Sequence, residues 1–272
     1  MSSEENTILN TEKTAPIGVL DSGVGGLTVL NKLKKLLPNE NYIYFGDTKN
    51  LPYGNKTPEE LFKLVVDIIG FFKEQGVKAV VLGCNTTAAS VYDKIKNLYP
   101  FTVYPIIQNA SEKINPTDCS KIGVFATMTT TSSKMYTKSL KAINPKLEVL
   151  EIACPEWVGF VENQTYNTTA ALKNISEKME EMKKFNPEKI ILGCTHYPYL
   201  IDVLAKFEDK SKFINPAESF ALYIKESLQD NGLLSNAKSG SCKVYVSKEP
   251  EKFMTAGKMF FPSMPEPSLK SL

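Results

Sequence analysis

Short apolar runs rich in β-branched residues alternate along the chain with stretches in which apolar residues recur every three or four positions. The short runs are Ile17–Leu20, Tyr42–Phe45, Lys78–Leu82, Phe101–Tyr104, Lys121–Ala126, Leu147–Ala153, Lys189–Leu192, Phe213–Ile214 and Lys243–Ser247, and each predicts a buried strand. Leu27, Leu30, Leu33 and Leu37 mark one face of a helix between the first two. Thr57-Pro58-Glu59-Glu60 is a capping box with proline at the first helical position, so a helix opens there. Asn85 and Thr86 are suited to cap the helix after the third strand, and Thr127–Ser133 is a hydroxyl-rich turn that opens another. Residues 156–164, residues 167–185 and a segment from about Ala217 also read as helices. Strands alternating with helices predict an α/β fold with parallel sheets.

The pattern repeats. Val80-Val81-Leu82-Gly83-Cys84-Asn85-Thr86 matches Ile190-Ile191-Leu192-Gly193-Cys194-Thr195-His196, and only the last two positions differ in type. Ile17-Gly18-Val19 recurs as Ile122-Gly123-Val124 at nearly the same offset. Two copies of one unit are therefore expected: two pseudo-symmetric, doubly wound domains with an active site in the cleft between them. The polar run Asn115–Ser120 sets a boundary near 110–120. Residues 16–110 with 217–261 form the first domain and residues 111–216 the second. Polar residues 1–15 and the Pro- and Ser-rich residues 262–272 are expected as flexible tails.

Composition narrows the function classes. The chain has 272 residues, 42% hydrophobic and 23% charged, which is ordinary for a globular protein. A net charge of +2 gives no reason to expect nucleic acid or a membrane surface as partner. No apolar run approaches the ~20 residues of a membrane helix, and residues 1–15 carry no signal-peptide pattern. Five cysteines, odd in number and widely spaced, argue for a reducing, cytoplasmic compartment rather than a disulfide framework. All the positive side chains are lysines, so no bidentate arginine clamp can hold a substrate carboxylate.

The chemistry converges on the echoed cysteines. A free thiol has a pKa near 8.5, so only ~3% is thiolate at neutral pH, and a thiol that acts as a base needs a cation, a helix N-terminus or a nearby acid–base group. Each cysteine precedes a predicted helix start, His196 is the only histidine and stands beside Cys194, and Asp21 ends the first strand. One thiolate and one thiol across a cleft could remove a proton from one face of a carbon and deliver one to the other, without a cofactor. A single cysteine after a strand is most often a small buried hydrophobe. The duplication of Leu-Gly-Cys argues otherwise, because packing alone does not require it twice. Three other readings stand beside this one. Asp21-Ser22-Gly23-Val24-Gly25-Gly26 could be a dinucleotide loop with Asp47 as its ribose acid, although Thr28 falls where the third glycine belongs. Cys84, Cys194, His196 and Asp21 have side-chain types that suit zinc. The chain could also be a binding protein without catalysis. Cys119 and Cys154 have no echo and read as structural, and Cys242 has no assigned place.

The chain resembles the glutamate racemase family, the cofactor-independent aspartate/glutamate racemases. The matching residues are Asp21–Gly26, Pro52-Tyr53-Gly54, Cys84-Asn85-Thr86, Thr127 with Thr130, Ser133 and Tyr136, Cys154-Pro155 with Val161-Glu162, and Cys194–Pro198, in the family's order over residues 17 to 260. The resemblance implies interconversion of L- and D-glutamate, with D-glutamate supplied to peptidoglycan synthesis. Cys84 would deprotonate the D enantiomer and Cys194 the L enantiomer, assisted by Asp21, His196 and Glu162. Substrate binding would fall on Asp21, Ser22, Pro52, Tyr53, Gly54, Asn85, Thr86, Thr127, Thr195 and His196. The resemblance implies no cofactor and no metal, glutamate as the small-molecule partner, and a homodimer as the assembly to test for, since many members are dimers. Within the family a racemase for aspartate or another small acid is the alternative. The chain departs from the family at Glu156, where an apolar residue is usual, and at Gly159, where a proline is usual. Glu156 is thus a second carboxylate near Glu162.

Overall fold

The computed structural model describes residues 12–114 and 116–272. Of the expected N-terminal tail, residues 1–11 lie outside the described residues. Residues 12–14 are helical and are tied down where Asn41 Nδ2 donates to the Thr14 carbonyl at 2.7 Å. The elements then run β1 (Ile17–Asp21), α1 (Leu27–Leu36), β2 (Tyr42–Gly46), α2 (Pro58–Glu74), β3 (Ala79–Leu82), α3 (Asn85–Ile95), β4 (Thr102–Pro105) and α4 (Ile106–Ile114). They continue through β5 (Lys121–Ala126), α5 (Met128–Ser133), α6 (Met135–Ile143), β6 (Glu148–Ala153), α7 (Glu156–Glu162), α8 (Thr169–Phe185) and β7 (Lys189–Gly193). The chain closes with α9 (Ile201–Leu204), β8 (Phe213–Ile214), α10 (Pro216–Asp230), β9 (Cys242–Val246), α11 (Pro250–Gly257) and β10 (Ser268–Leu269).

Two parallel sheets result, ordered β10-β9-β2-β1-β3-β4 and β6-β5-β7-β8. The predicted α/β class with parallel sheets is borne out, and the internal repeat is visible in the winding. Within each sheet the same order recurs, β2-β1-β3-β4 and β6-β5-β7-β8. Gly18 lies opposite Val80 in the first sheet and Gly123 opposite Ile190 in the second. The Ile-Gly-Val echo has a packing cause. A Cβ on Gly18 would meet the Phe72 ring at 2.8 Å, and one on Gly123 would meet Met182 Sδ at 2.2 Å. In each sheet a helix side chain occupies the space that glycine leaves. The central strands Val19–Leu20, Val80–Leu82, Val124–Phe125 and Ile190–Leu192 are almost fully buried, as parallel strands covered on both faces must be.

After the second sheet the chain returns to the first. Helix α10 packs on α1 and α4, and β9 pairs with β2. Residues 262–272, expected as a flexible tail, instead carry β10, which pairs with β9 while Lys270 N donates to the Val246 carbonyl at 2.9 Å. The unpaired edge of β9 supplies the partners that composition could not show.

Local chemistry decides several boundaries. The Thr57 capping box closes in both directions, with Thr57 N donating to Glu60 Oε2 at 2.8 Å and Glu60 N to Thr57 Oγ1 at 3.3 Å. Helix α3 begins differently from expectation. Cys84 occupies the N-cap position without a side-chain cap, and Asn85 and Thr86 are already helical. Their polar ends are engaged elsewhere, Asn85 with Tyr136 and Thr86 with Thr127, and so are not free to cap.

Candidate active site

Ligands of open α/β sheets bind outside the carboxyl ends of the strands where the strand order reverses. Those points lie at β1/β3 in one sheet and β5/β7 in the other. Asp21 ends β1 and Ser22 follows it, Cys84 follows β3, Thr127 follows β5, and Cys194 follows β7. Both thiols line one cavity of about 270 Å³, together with Ser22, Pro52, Tyr53, Gly54, Asn85, Thr86, Thr127, Thr195 and His196. That volume is just below the ~300–1,000 Å³ of ligand pockets and suits a small substrate. Two expected site residues stand behind this wall. Asp21 is fully buried beneath Thr195, and Glu162 reaches the site through His196.

The two thiols sit in different electrostatic surroundings. Cys194 Sγ lies 3.8 Å from His196 Nδ1, while His196 Nε2 is 3.1 Å from Glu162 Oε1. Burial opposes a charged imidazole, but the hydrogen bonds and charges of Cys194 and Glu162 outweigh it and raise His196 from 6.5 to about 10. The imidazolium is therefore the cation that Cys194 faces. A helix N-terminus was expected there. The chain instead turns through a short 3-10 segment, Tyr197–Leu200, before the four-residue α9, so little helix dipole is available.

Cys84 has a different neighbour, the Asp21 carboxylate. Burial, with the Asp21 carboxylate adding to it, pushes the thiol from 9.0 up to about 12. Its Sγ is 4.0 Å from Ser22 Oγ. The Thr87 N–H and hydroxyl act on the same sulfur in the opposite sense, and that hydroxyl is buried with no oxygen or nitrogen partner. Asp21 is itself displaced. Burial raises its carboxyl from 3.8 to about 6, against the pull of the Gly23 N–H, the His196 charge, the Gly26 N–H and the Thr195 hydroxyl. Its Oδ1 accepts from Gly23 N at 3.0 Å and its Oδ2 from Thr195 Oγ1 at 3.5 Å.

Apart from Glu156, the rest of the wall is neutral. Thr86 Oγ1 and Thr127 Oγ1 are 3.0 Å apart across the cleft, and Thr129 Oγ1 donates to the Gly54 carbonyl at 2.6 Å. Tyr53 lies under the rim, its hydroxyl donating to Asp47 Oδ2 at 2.6 Å, while Ser247 Oγ from the end of β9 donates to Asp47 Oδ1 at 2.7 Å. Asp47, read from the sequence as a ribose-binding acid in the dinucleotide alternative, is thus engaged by Tyr53, Ser247 and Asn50. Among the described residues no group of three or more His, Cys, Asp or Glu is arranged to hold a metal ion, so the zinc reading has no ligand set.

A family model described as Asp/Glu/hydantoin racemase matches residues 17–221. The chain belongs to the Asp/Glu/hydantoin racemase family. It is 42% identical over 246 residues to glutamate racemase 2 of Caldanaerobacter subterraneus subsp. tengcongensis, which covers 90% of this chain and 92% of that one. Among solved structures it is similar to the glutamate racemase isoform RacE1 of Bacillus anthracis, with a TM-score of 0.91, 30% identity and coverage of 96% and 98%. It is also similar to the glutamate racemase of Francisella tularensis in complex with D-glutamate, with a TM-score of 0.89, 32% identity and coverage of 95% and 98%. The resemblance to glutamate racemases read from the motifs is borne out.

The geometry of this racemase adds residues that sequence reasoning did not single out for the site. Leu51, Asn55, Met128 and Val158 line the cavity, as do Pro155 of the matched motif and Glu156, the second carboxylate already noted. The two carboxylates separate by position, because Glu162 makes the hydrogen bond to His196 whereas Glu156 is exposed on the cavity wall. Gly25 carries its own test. A Cβ there would meet Thr195 Oγ1 at 2.3 Å and His196 Nδ1 at 2.5 Å, both buried. Gly25→Ala is expected to displace His196 by a fraction of an ångström and to lower kcat by up to ~100-fold, with a smaller change in melting temperature. Unchanged kcat would show that the loop yields without moving the histidine.

Proposed function

We propose that the protein interconverts L- and D-glutamate by a cofactor-independent, two-thiol mechanism. One observation carries the reading: two thiols, delivered by equivalent strands of a repeated sheet, line one small cavity, Cys194 beside the His196 ring and Cys84 near the Asp21 carboxylate. The substrate follows from the glutamate racemases to which the chain is similar. It also accords with a wall of hydroxyls and amides in a chain without arginine.

L-glutamate enters with its Cα–H facing Cys194. The Cys194 sulfur, paired with the His196 imidazolium, takes the α-proton, and the negative charge left on Cα and its carboxylate is met by neutral donors of the wall. Cys84, held as a thiol by burial and by Asp21, delivers its proton to the opposite face. D-glutamate leaves, Cys194 is then protonated and Cys84 deprotonated, and proton exchange resets the pair. In the reverse direction Cys84 is the base. Asp21, near 6, and His196 with Glu162 behind it are the groups able to exchange protons with the two thiols. The resemblance makes peptidoglycan synthesis the consumer of D-glutamate, and the free cysteines accord with a reducing, cytoplasmic setting.

Deuterium wash-in tests the reading directly. Purified protein is incubated with L-glutamate, and separately with D-glutamate, in D2O without pyridoxal phosphate, and circular dichroism follows the optical signal. Decay of the signal with deuterium at Cα is the expected result. Failure of both enantiomers to exchange, or faster turnover of aspartate on a substrate panel, overturns the assignment to glutamate.

A further inference from the structure

Asn85 is 3% exposed, lines the cavity and splits its two polar ends unequally. Its Oδ1 accepts from the Tyr136 hydroxyl at 2.7 Å, whereas its Nδ2 is buried with no partner. The two residues come from opposite halves of the repeat. Asn85 opens α3 behind the first sheet's cysteine, and Tyr136 lies in the first turn of α6, after the second sheet's β5. We infer that Tyr136 is a positioning residue for substrate binding: it fixes the Asn85 amide with its nitrogen toward the cavity, where that nitrogen donates to a carboxylate of the substrate. The inference rests on the reading of the substrate as glutamate and extends it to a residue that need not touch glutamate at all.

The chemistry favours one sense of the amide. A buried amide whose carbonyl and nitrogen faced equivalent surroundings could turn over, presenting oxygen to an anion half the time. Tyr136 biases that choice: with its proton on the phenol it donates to Oδ1, whereas the reversed amide would leave that buried proton without an acceptor. Burial keeps the proton on the phenol, with the charges of Glu151 and Cys194 adding to the effect, so that the phenol's ionisation lies far above its ordinary range. The ring is fully buried and does not line the cavity, so its hydroxyl is directed at Asn85 rather than at substrate. A buried donor without a partner is costly to keep in a folded protein. One beside a cavity that must hold a dicarboxylate without arginine or a wall lysine has an evident acceptor. The same hydrogen bond joins the two halves across the cleft.

The test is a double-mutant cycle on the full chain. Tyr136→Phe is measured alone and in an Asn85→Ala background, with KM and kcat for both enantiomers and with melting temperature as the control for folding. Tyr136→Phe is expected to raise KM about tenfold, with a smaller change in kcat, and this rise is expected to vanish once Asn85 is alanine. A rise of the same size in both backgrounds, or no rise, overturns the inference. Asn85→Asp supplies an independent arm. Its first oxygen still accepts from Tyr136, so an oxygen replaces the donor, and KM is expected to exceed that of Asn85→Ala. Equal KM values for the two variants count against a fixed orientation. A wild-type protein that neither binds nor interconverts glutamate overturns the functional reading, and this assignment with it; a wild type that does so while Tyr136→Phe keeps its KM overturns this assignment alone.

Discussion

Cys84→Ser and Cys194→Ser are each expected to abolish net racemization in both directions while leaving proton exchange on one enantiomer. Loss of a positioned acid or base costs ~10²–10⁴-fold, and a hydroxyl is a far weaker acid than a thiol, so the upper part of that range applies. The pattern of residual exchange separates a paired mechanism from simple damage. With Cys84 replaced, Cys194 still faces the His196 imidazolium at 3.8 Å and can take the α-proton of L-glutamate. It can only return a proton to the same face, so deuterium enters L-glutamate without inversion. With Cys194 replaced, the exchange moves to D-glutamate, and it is slower because Cys84 is pushed up to about 12 by burial and Asp21 and lacks a neighbouring imidazolium. Both cysteines are only 7% exposed and serine is nearly isosteric, so melting temperatures are expected to move little. Mass spectrometry of Cα–D and circular dichroism on the same samples read the two quantities together. Equal residual racemization in both variants would contradict the paired-base mechanism.

The asymmetry between the thiols was not legible in the chain, although their pairing was. The Leu-Gly-Cys echo and the Ile-Gly-Val echo are local patterns, and each has a local cause, a buried strand and a glycine under a helix side chain. Such causes survive in sequence because they act within one unit of the repeat. The features that set the site's electrostatics join residues far apart. Glu162 reaches His196 from a separate helix, and Asp21 lies beneath Thr195 from the other sheet. Asn85 and Thr86 show the cost of local reading most directly. Their side chains are good helix caps by type, yet partners from the second half of the chain, Tyr136 and Thr127, hold both, and the cap falls to Cys84. Residues 262–272 fail for the same reason, since their strand exists only against β9. Asp47 was legible only as a candidate ribose acid after the second strand, because its partners Tyr53 and Ser247 come from the rim and from the returning strand, and composition has no means of pairing them.

Asp21→Asn is expected to slow racemization and to stabilise the fold at neutral pH, two effects of one buried charge. The carboxyl is fully buried, and its rise from 3.8 to about 6 is caused chiefly by desolvation. A group whose folded pKa lies above its unfolded one contributes stability that is complete below the unfolded value and lost as pH rises through the folded value. For Asp21 that window runs from 3.8 to about 6, and above it the carboxylate lowers stability by up to roughly 3 kcal/mol at 1.36 kcal/mol per pH unit. Asparagine carries no charge and keeps an oxygen for the Gly23 N–H, so the variant is expected to melt several degrees higher at pH 7.5. The gap should be roughly half as large at pH 5, where the native carboxyl is mostly protonated but its unfolded counterpart is not. Activity moves the other way. A carboxylate poised near 6, close enough to Cys84 for its charge to be felt, gives the wild type an acid limb in kcat centred near that pH. Asparagine cannot titrate, so the variant is expected to lose the limb along with ~10²-fold or more of kcat. Melting curves at the two pH values and a pH–rate profile check both halves. A wild type more stable than the variant at pH 7.5, or a gap that ignores pH, would show that the Gly23 and Thr195 contacts outweigh desolvation. In that case Asp21 would be a structural anchor of the loop after β1 rather than a group held at an energetic cost because the chemistry needs it.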